Sequence, residues 1–222
     1  MNCCTVEGTN KFFNTQAGSM IKRFKKRGLR AEQKLLVEGI QQNRLAQDEI
    51  LEIGCGVGAL HLTLLKRGAT KATGIDISSK MIATAKQLAA EMNVQHRTHY
   101  QQGDFVALHE HLPAADIAIL DKVVCCYTDA RTLIVHSAAK TRRLYAVSFP
   151  RQSRFVRMIF RLTASFLKLL RQSFHPYYHS PAQIEKWIAE QGFEKKYHAN
   201  TFIWAVQVYD RKNEASLSRA LV

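Results

Sequence analysis

The sequence predicts an α/β protein built on a single doubly wound, seven-stranded sheet, with a helical arm before the sheet and a helical lid inserted after its fifth strand. Three observations predict it. Between Gln47 and Pro150, runs rich in Ile, Val and Leu alternate with helix-like runs, the pattern of parallel strands wrapped by helices. A glycine cluster, Gly54-Cys55-Gly56-Val57-Gly58, joins the first strand to its helix. Near the end of the chain, two short alternating runs can pair as a closing antiparallel hairpin.

Residues 1–46 are expected to form the arm, packed on the core. From Phe12 to about Gln42 the apolar spacing is helical, broken near Gly28, and it carries the dense basic stretch "IKRFKKRGLRAEQK". The sheet domain is expected over 47–210. "EILEIG" reads as the first strand, "ALHLTLLKRG" as a helix ended by Gly68, and "KATGIDI" as the second strand. Ser78 or Ser79 can cap the helix "KMIATAKQLAAEM", because a hydroxyl there accepts from a free first-turn N–H. "HRTHYQQGD" supplies the third strand and "ADIAILD" the fourth, nearly all apolar as a strand covered on both faces must be. "RLYAVSFP" is the fifth, stopped by Pro150, which has no N–H for the ladder. The lid spans 151–179, and from Arg151 to Ser173 it is one long amphipathic stretch. "SPAQIEKWIAEQG" is a helix with Pro181 in its first turn and Gly192 at its end. "FEKKYHA" and "FIWAVQVYD" form the hairpin, and 211–222 are expected as a C-terminal tail.

Composition bounds the class. A chain of 222 residues is enough for one sizeable core and too short for two ordinary domains with a linker. Lys and Arg number 32 against 18 Asp and Glu, and the formal charge of +14 suits an anionic partner: nucleic acid, an anionic membrane surface or an anionic small molecule. The cysteines fall as Cys3-Cys4, Cys55 and Cys125-Cys126. An odd count in adjacent pairs argues against a disulfide framework, and no CxxC metal knuckle is present, so free thiols and no metal are expected. The opening "MNCCTVEGTNK" lacks the charged-then-apolar pattern of a secretory signal, and no apolar run approaches the ~18 to 20 residues of a membrane span. A cytoplasmic protein is expected, with peripheral membrane contact as the open alternative.

The glycine cluster is where chemistry begins. Glycine permits positive φ, and without a Cβ it lets ligand atoms lie against bare backbone, while the helix behind the turn offers unpaired N–H groups to an anion. Two cofactor classes use this geometry. For a dinucleotide the anion is a pyrophosphate; for S-adenosyl-L-methionine it is the carboxylate of the methionine part. Gly54, Gly56 and Ala59 also fit the G-x-G-x-x-A dinucleotide pattern, so the loop alone leaves both open. Glu52, two residues before the first glycine, can face the positively charged amino end of a methionine moiety. Asp76 ends the next strand, where a carboxylate can accept both ribose hydroxyls. Gly103, Asp104 and Phe105 then end the third strand with an acid and a ring that suit an adenine.

As a set, Glu52, the glycines, Asp76 and Gly103-Asp104-Phe105 resemble the class I S-adenosylmethionine-dependent methyltransferases over roughly Gln47 to Tyr209. The resemblance implies S-adenosyl-L-methionine as cofactor, with Gly58 in the same loop, Cys55 present only as a small residue, Ile77 and Met81 around the adenine and ribose, and Asp121 on the transfer edge. "FFN" near the start, "VSFP" and "YYHS" make the chain most similar to the magnesium-protoporphyrin O-methyltransferases, which esterify a propionate on a flat tetrapyrrole. One departure is plain. That family tends to have a His four residues after the acid of the fourth strand, followed by Tyr; here the place is Cys125, with the Tyr displaced to Tyr127. The role of that His does not carry over.

The acceptor is expected to be a small, apolar and carboxylate-bearing molecule. Methyl transfer from a sulfonium is an in-line displacement, and an ionised carboxylate needs no base at neutral pH. Where the acceptor is instead a hydroxyl, His175, Tyr178 or His179 in "FHPYYHS" are the candidates to deprotonate it. After the fourth strand "LDKVVCCY" lacks the Pro-Pro-aromatic run common in enzymes that methylate exocyclic base amines, which disfavours nucleic acid. In the lid, Arg151, Arg154, Arg157, Arg161, Lys168 and Arg171 mark one helical face; Phe155, Met158, Ile159, Leu162, Phe166, Leu169 and Leu170 mark another. That apolar face can pack on the sheet, close over an acceptor or dock on an anionic bilayer. Cys125 and Cys126 can line the acceptor pocket, join Cys3-Cys4 around a soft metal, or be small buried hydrophobes. The alternative functions are a peripheral-membrane lipid or quinone methyltransferase, an RNA methyltransferase, and a non-enzymatic cofactor sensor or partner-binding module.

Overall fold

The computed structural model describes residues 6–170, 174 and 176–212. Three helices precede the sheet: α1 (Val6–Asn14), α2 (Ala17–Arg27) and α3 (Ala31–Gln42). Gly28, at φ 69°, ends α2, and the Gln33 side chain reaches back to accept the Arg30 N–H where α3 begins. The third helix is more than an arm. Leu36, Val37 and Ile40 are buried, and a Cβ on Gly39 would stand 2.6 Å from the Tyr197 ring, so α3 lies flat on the sheet as part of its helical layer.

The seven strands run in the order β3-β2-β1-β4-β5-β7-β6. β1 (Glu49–Ile53), β2 (Lys71–Asp76), β3 (Thr98–Gln102), β4 (Ala115–Asp121) and β5 (Thr141–Pro150) are parallel; β7 (Trp204–Arg211) pairs antiparallel with β5 and with β6 (Phe193–Asn200). Strand order reverses between β1 and β4. Loops leaving these neighbours diverge, opening a crevice over the strand ends. Side chains alternate across the sheet: Leu51, Ile53, Leu120, Val147 and Phe149 share one core, and Ile50, Ile117, Ile119, Leu144 and Ala146 the other.

Helices α4 (Ala59–Leu65), α5 (Ser79–Glu91), the short α6 (Phe105–Leu108), α7 (Ala130–Ala139), α8 (Arg154–Leu169) and α9 (Pro181–Glu190) complete the fold. Ser78 is the cap of α5, its Oγ accepting from Met81 N at 3.1 Å. The sequence reading holds no counterpart of α7. Asp129 caps it by accepting from the Thr132 N–H, but Thr132, His136 and Ser137 dilute its apolar spacing. In α8 only Val156 and Phe160 are buried; the apolar face that could have packed on the sheet points outward. No helix among the described residues is long and apolar enough to cross a membrane.

Candidate active site

A cavity of about 720 Å³ sits over the carboxyl ends of β1 to β4, between the arm and α8. Its floor is the turn after β1. Gly54 has φ +64°, and a Cβ there would lie 2.5 Å from Val123 Cγ2, so only glycine lets the chain turn beneath β4's loop. At Gly56 an added Cβ would meet only Met20, at 3.4 Å; bare backbone faces the cavity.

Asp76 fastens this turn. Its Oδ2 accepts from Gly56 N at 2.8 Å and its Oδ1 from Ser78 N at 2.8 Å, tying the loop to the start of α5. Burial pushes its pKa up to about 6, with those two hydrogen bonds pulling the other way and the Glu52 charge adding to the rise. Asp104 caps α6 through Val106 N and takes the Tyr127 hydroxyl at 2.5 Å. Burial, and then the Asp104 charge, push the Tyr127 phenol upward. Asp121 accepts from Ser148 Oγ at 2.6 Å and from Gln33 Nε2 at 3.0 Å, so α3 reaches the end of β4.

The expected cofactor residues Glu52, Gly54, Cys55, Gly56, Asp76, Ile77, Met81, Gly103, Asp104, Phe105 and Asp121 all line this cavity. Gly58 does not. It starts α4 at φ +80°, and a Cβ there would meet the His61 ring at 3.1 Å, so its part is to turn the chain. Glu52 has a partner the sequence reading lacked: its Oε2 accepts from His61 N at 3.2 Å and meets His61 Nδ1 at 2.5 Å, while His61 Nε2 lies 2.9 Å from the Tyr100 hydroxyl. Burial raises the Glu52 pKa, with His61 opposing it. Burial likewise drives the Cys55 thiol well above its usual value, in keeping with a small, unreactive loop residue.

The hydroxyl-base candidates fare differently. Tyr178 and His179 do not line the cavity. The Tyr178 ring packs edge-on to Phe160 under the Arg157 guanidinium, and His179 Nε2 pairs with the Tyr127 carbonyl at 2.8 Å. Both hold a loop corner. His175, Arg171, Cys3 and Cys4 lie outside the described residues. Cys125 and Cys126 line the cavity, each thiol directed at the Lys122 carbonyl.

Sequence reasoning also missed the basic, aromatic half of the cavity. Arg30, Lys122, Phe160, Phe174 and Trp204 form it. Lys122, held at φ +61°, donates to Glu32 Oε1 at 2.7 Å and lies 5.7 Å from the Trp204 ring centre. Burial of Glu32 opposes its ionisation, but the Lys122 hydrogen bond and charge outweigh this and hold its carboxyl below the usual range. The available signal was Lys122 directly after the acid of β4, masked by distance in sequence from Glu32 and Trp204.

Strand order, an antiparallel seventh strand, the glycine turn and the acid ending β2 together define the class I methyltransferase fold. Residues 50–143 match the family model described as "Methyltransferase domain". Among solved structures, the magnesium protoporphyrin IX methyltransferase of Synechocystis PCC 6803 with bound SAH superposes at TM-score 0.71 and 22% identity, covering 91% of this chain and 98% of that one. The ubiquinone biosynthesis O-methyltransferase of Coxiella burnetii is 28% identical over 184 residues, 81% of this chain and 75% of its own length. The ribosomal protein L11 methyltransferase of Shewanella denitrificans is 38% identical over 61 residues, 28% of this chain. The match spans 21% of that relative's length.

Proposed function

We propose that this chain is a cytoplasmic enzyme transferring a methyl group from S-adenosyl-L-methionine to a small, apolar acceptor that bears a carboxylate. The observation that carries the reading is one continuous cavity with two unlike ends. One end is bare glycine backbone, Asp76 and the Asp104-Phe105 corner; the other is largely apolar and carries Arg30 and the Lys122–Asp121 pair. The first end fits the cofactor. Gly54 to Gly56 leave room for the methionine part, the Asp76 carboxylate suits the ribose hydroxyls, and Ile77, Met81 and Phe105 offer an apolar wall to the adenine.

When bound, S-adenosyl-L-methionine supplies an activated sulfonium methyl. The protein's own residues have three tasks: to hold the acceptor in line, to keep it close and to exclude water. Arg30 is the cation that can anchor an acceptor anion, Lys122 being paired with Glu32 at 2.7 Å and Asp121 at 3.6 Å, and Phe160, Phe174 and Trp204 shield its apolar body. An ionised carboxylate is already a nucleophile at neutral pH. A second reading is a hydroxyl oxygen, since the Coxiella burnetii relative is named as an O-methyltransferase of ubiquinone biosynthesis.

Tritiated-methyl cofactor incubated with fractionated metabolite extract tests the reading. Label in an apolar, base-labile product supports a methyl ester, whereas a base-stable product favours a methyl ether. Label in RNA overturns the acceptor class, and a calorimetric titration showing no binding of S-adenosylhomocysteine overturns the reading altogether.

A further inference from the structure

Helix α8 is partnered on one side only. Val156 and Phe160 are buried, and Ile159, Phe160 and Thr163 line the cavity. The adjoining side shows Phe155 (49% exposed), Met158 (49%), Leu162 (61%), Phe166 (59%) and Leu169 (79%) to solvent, a stripe spaced by three and four residues. Phe202, 71% exposed on the turn between β6 and β7, continues it, its ring edge-on to Phe155 at 5.7 Å. An apolar surface this continuous marks an interaction site.

Charge identifies the occupant. Arg154, Arg157, Arg161 and Lys168 run along one side of the stripe and are exposed, and the three guanidiniums share a surface groove with Met158 and Leu162. No acidic residue occurs between Asp129 and Glu185. A second copy of this face would set arginines against arginines. A nucleic acid would satisfy the guanidiniums and leave the Phe and Leu side chains in water. An anionic bilayer satisfies both: headgroup phosphates meet the arginines, whose stems can snorkel, and the stripe enters the acyl boundary.

We propose that the outer face of α8, extended by Phe202, docks on an anionic lipid bilayer. The inner face of the same helix lines the cavity, so docking would set a lipid-soluble acceptor beside its site; that consequence rests on the methyl-transfer reading, while docking itself does not.

Co-sedimentation of the full chain with phosphatidylcholine vesicles, with and without phosphatidylglycerol, tests it at low and high salt. Binding is expected to the anionic vesicles only, and to fall as salt screens the arginines. Arg154→Ser and Arg161→Ser should each weaken partition roughly five-fold. Leu162→Ser with Phe166→Ser should weaken it roughly ten-fold or more at unchanged charge. In Phe166→Trp the indole emission should shift to the blue on adding anionic vesicles. The proposal fails if low-salt vesicles pellet no protein or if the Leu162/Phe166 double variant binds like the parent. It also fails if the chain binds RNA through the arginines with no need for the apolar pair. A lipid-free dimer that Leu162→Ser splits, with no vesicle binding, likewise overturns it. Titration of S-adenosylhomocysteine into the same variants should match the parent, so a failure of docking and a failure of the methyl-transfer reading register separately.

Discussion

The Asp76 side chain joins stability to ligand binding with opposite signs. Both oxygens are engaged by backbone, from Gly56 and Ser78, and burial pushes the pKa up to about 6, well above the ordinary aspartate range. With its folded pKa above its unfolded one, the group contributes stability that is full below about pH 4 and is lost as pH rises through about 6. A ligand with two hydroxyls to donate needs the ionised form instead. S-adenosylhomocysteine affinity is therefore expected to fall as pH drops below about 6, by up to roughly ten-fold per unit. Asp76→Asn should bind more weakly, by roughly 1 to 3 kcal/mol at neutral pH, with a flattened profile. Calorimetry across that range measures both effects, and a wild-type profile that is flat through pH 6 counts against Asp76 as the ribose residue. Residues of this kind could be singled out from the sequence because glycines and a carboxylate fell together at successive strand ends, although Asp76 also has the structural task of tying Gly56 to Ser78. Gly58, in the same loop, turns the chain at φ +80° and does not line the cavity.

Between elements, the Glu52–His61–Tyr100 chain links β1, α4 and β3 beneath the glycine turn. His61 is fully buried, and Glu52 is 2% exposed. Replacing His61 by Leu leaves the Glu52 carboxyl with only the amide of residue 61, an expected loss of roughly 3 kcal/mol. Tyr100→Phe removes only the outer hydrogen bond, about 1 kcal/mol. Urea unfolding of both variants ranks them; equal losses would mean the imidazole is packing rather than partner to the carboxyl. Nothing in the sequence around His61 announced this, since a lone His in "ALHLTLL" has no local signal of what it faces across the sheet. The same reasoning explains α7 and α8. The first has buried Ser137 and a weak stripe, so periodicity passes over it; the second has a strong stripe, whose direction only the tertiary fold decides.

In the folded molecule the cofactor end of the cavity belongs to no single layer. Phe12, Phe13 and Met20 of the arm stand on its wall, and the Asn14 carboxamide oxygen takes the Ser78 hydroxyl at 2.7 Å and Lys80 N at 3.0 Å. Phe12 stacks on Phe174 at 4.8 Å, so the arm meets the segment that follows α8 across the top. A ligand lying between these parts contacts sheet, arm and lid at once, and its binding energy adds to the stability of their closed arrangement. At a hundred times its dissociation constant S-adenosylhomocysteine should stabilise the chain by about 2.7 kcal/mol. For a domain of this size that is a melting-point rise of roughly 5 to 10 °C. Phe12→Ala opens the arm–lid contact without touching Asp76, and Asn14→Ala frees α1 from the start of α5. In each variant the ligand must close a looser arm, so the rise should shrink while the ligand-free melting point changes little. Limited proteolysis should then cut within the first thirty residues sooner, with the ligand protecting the parent more than either variant. An unchanged melting-point rise in both variants would show that the arm shelters the cavity without sharing in binding.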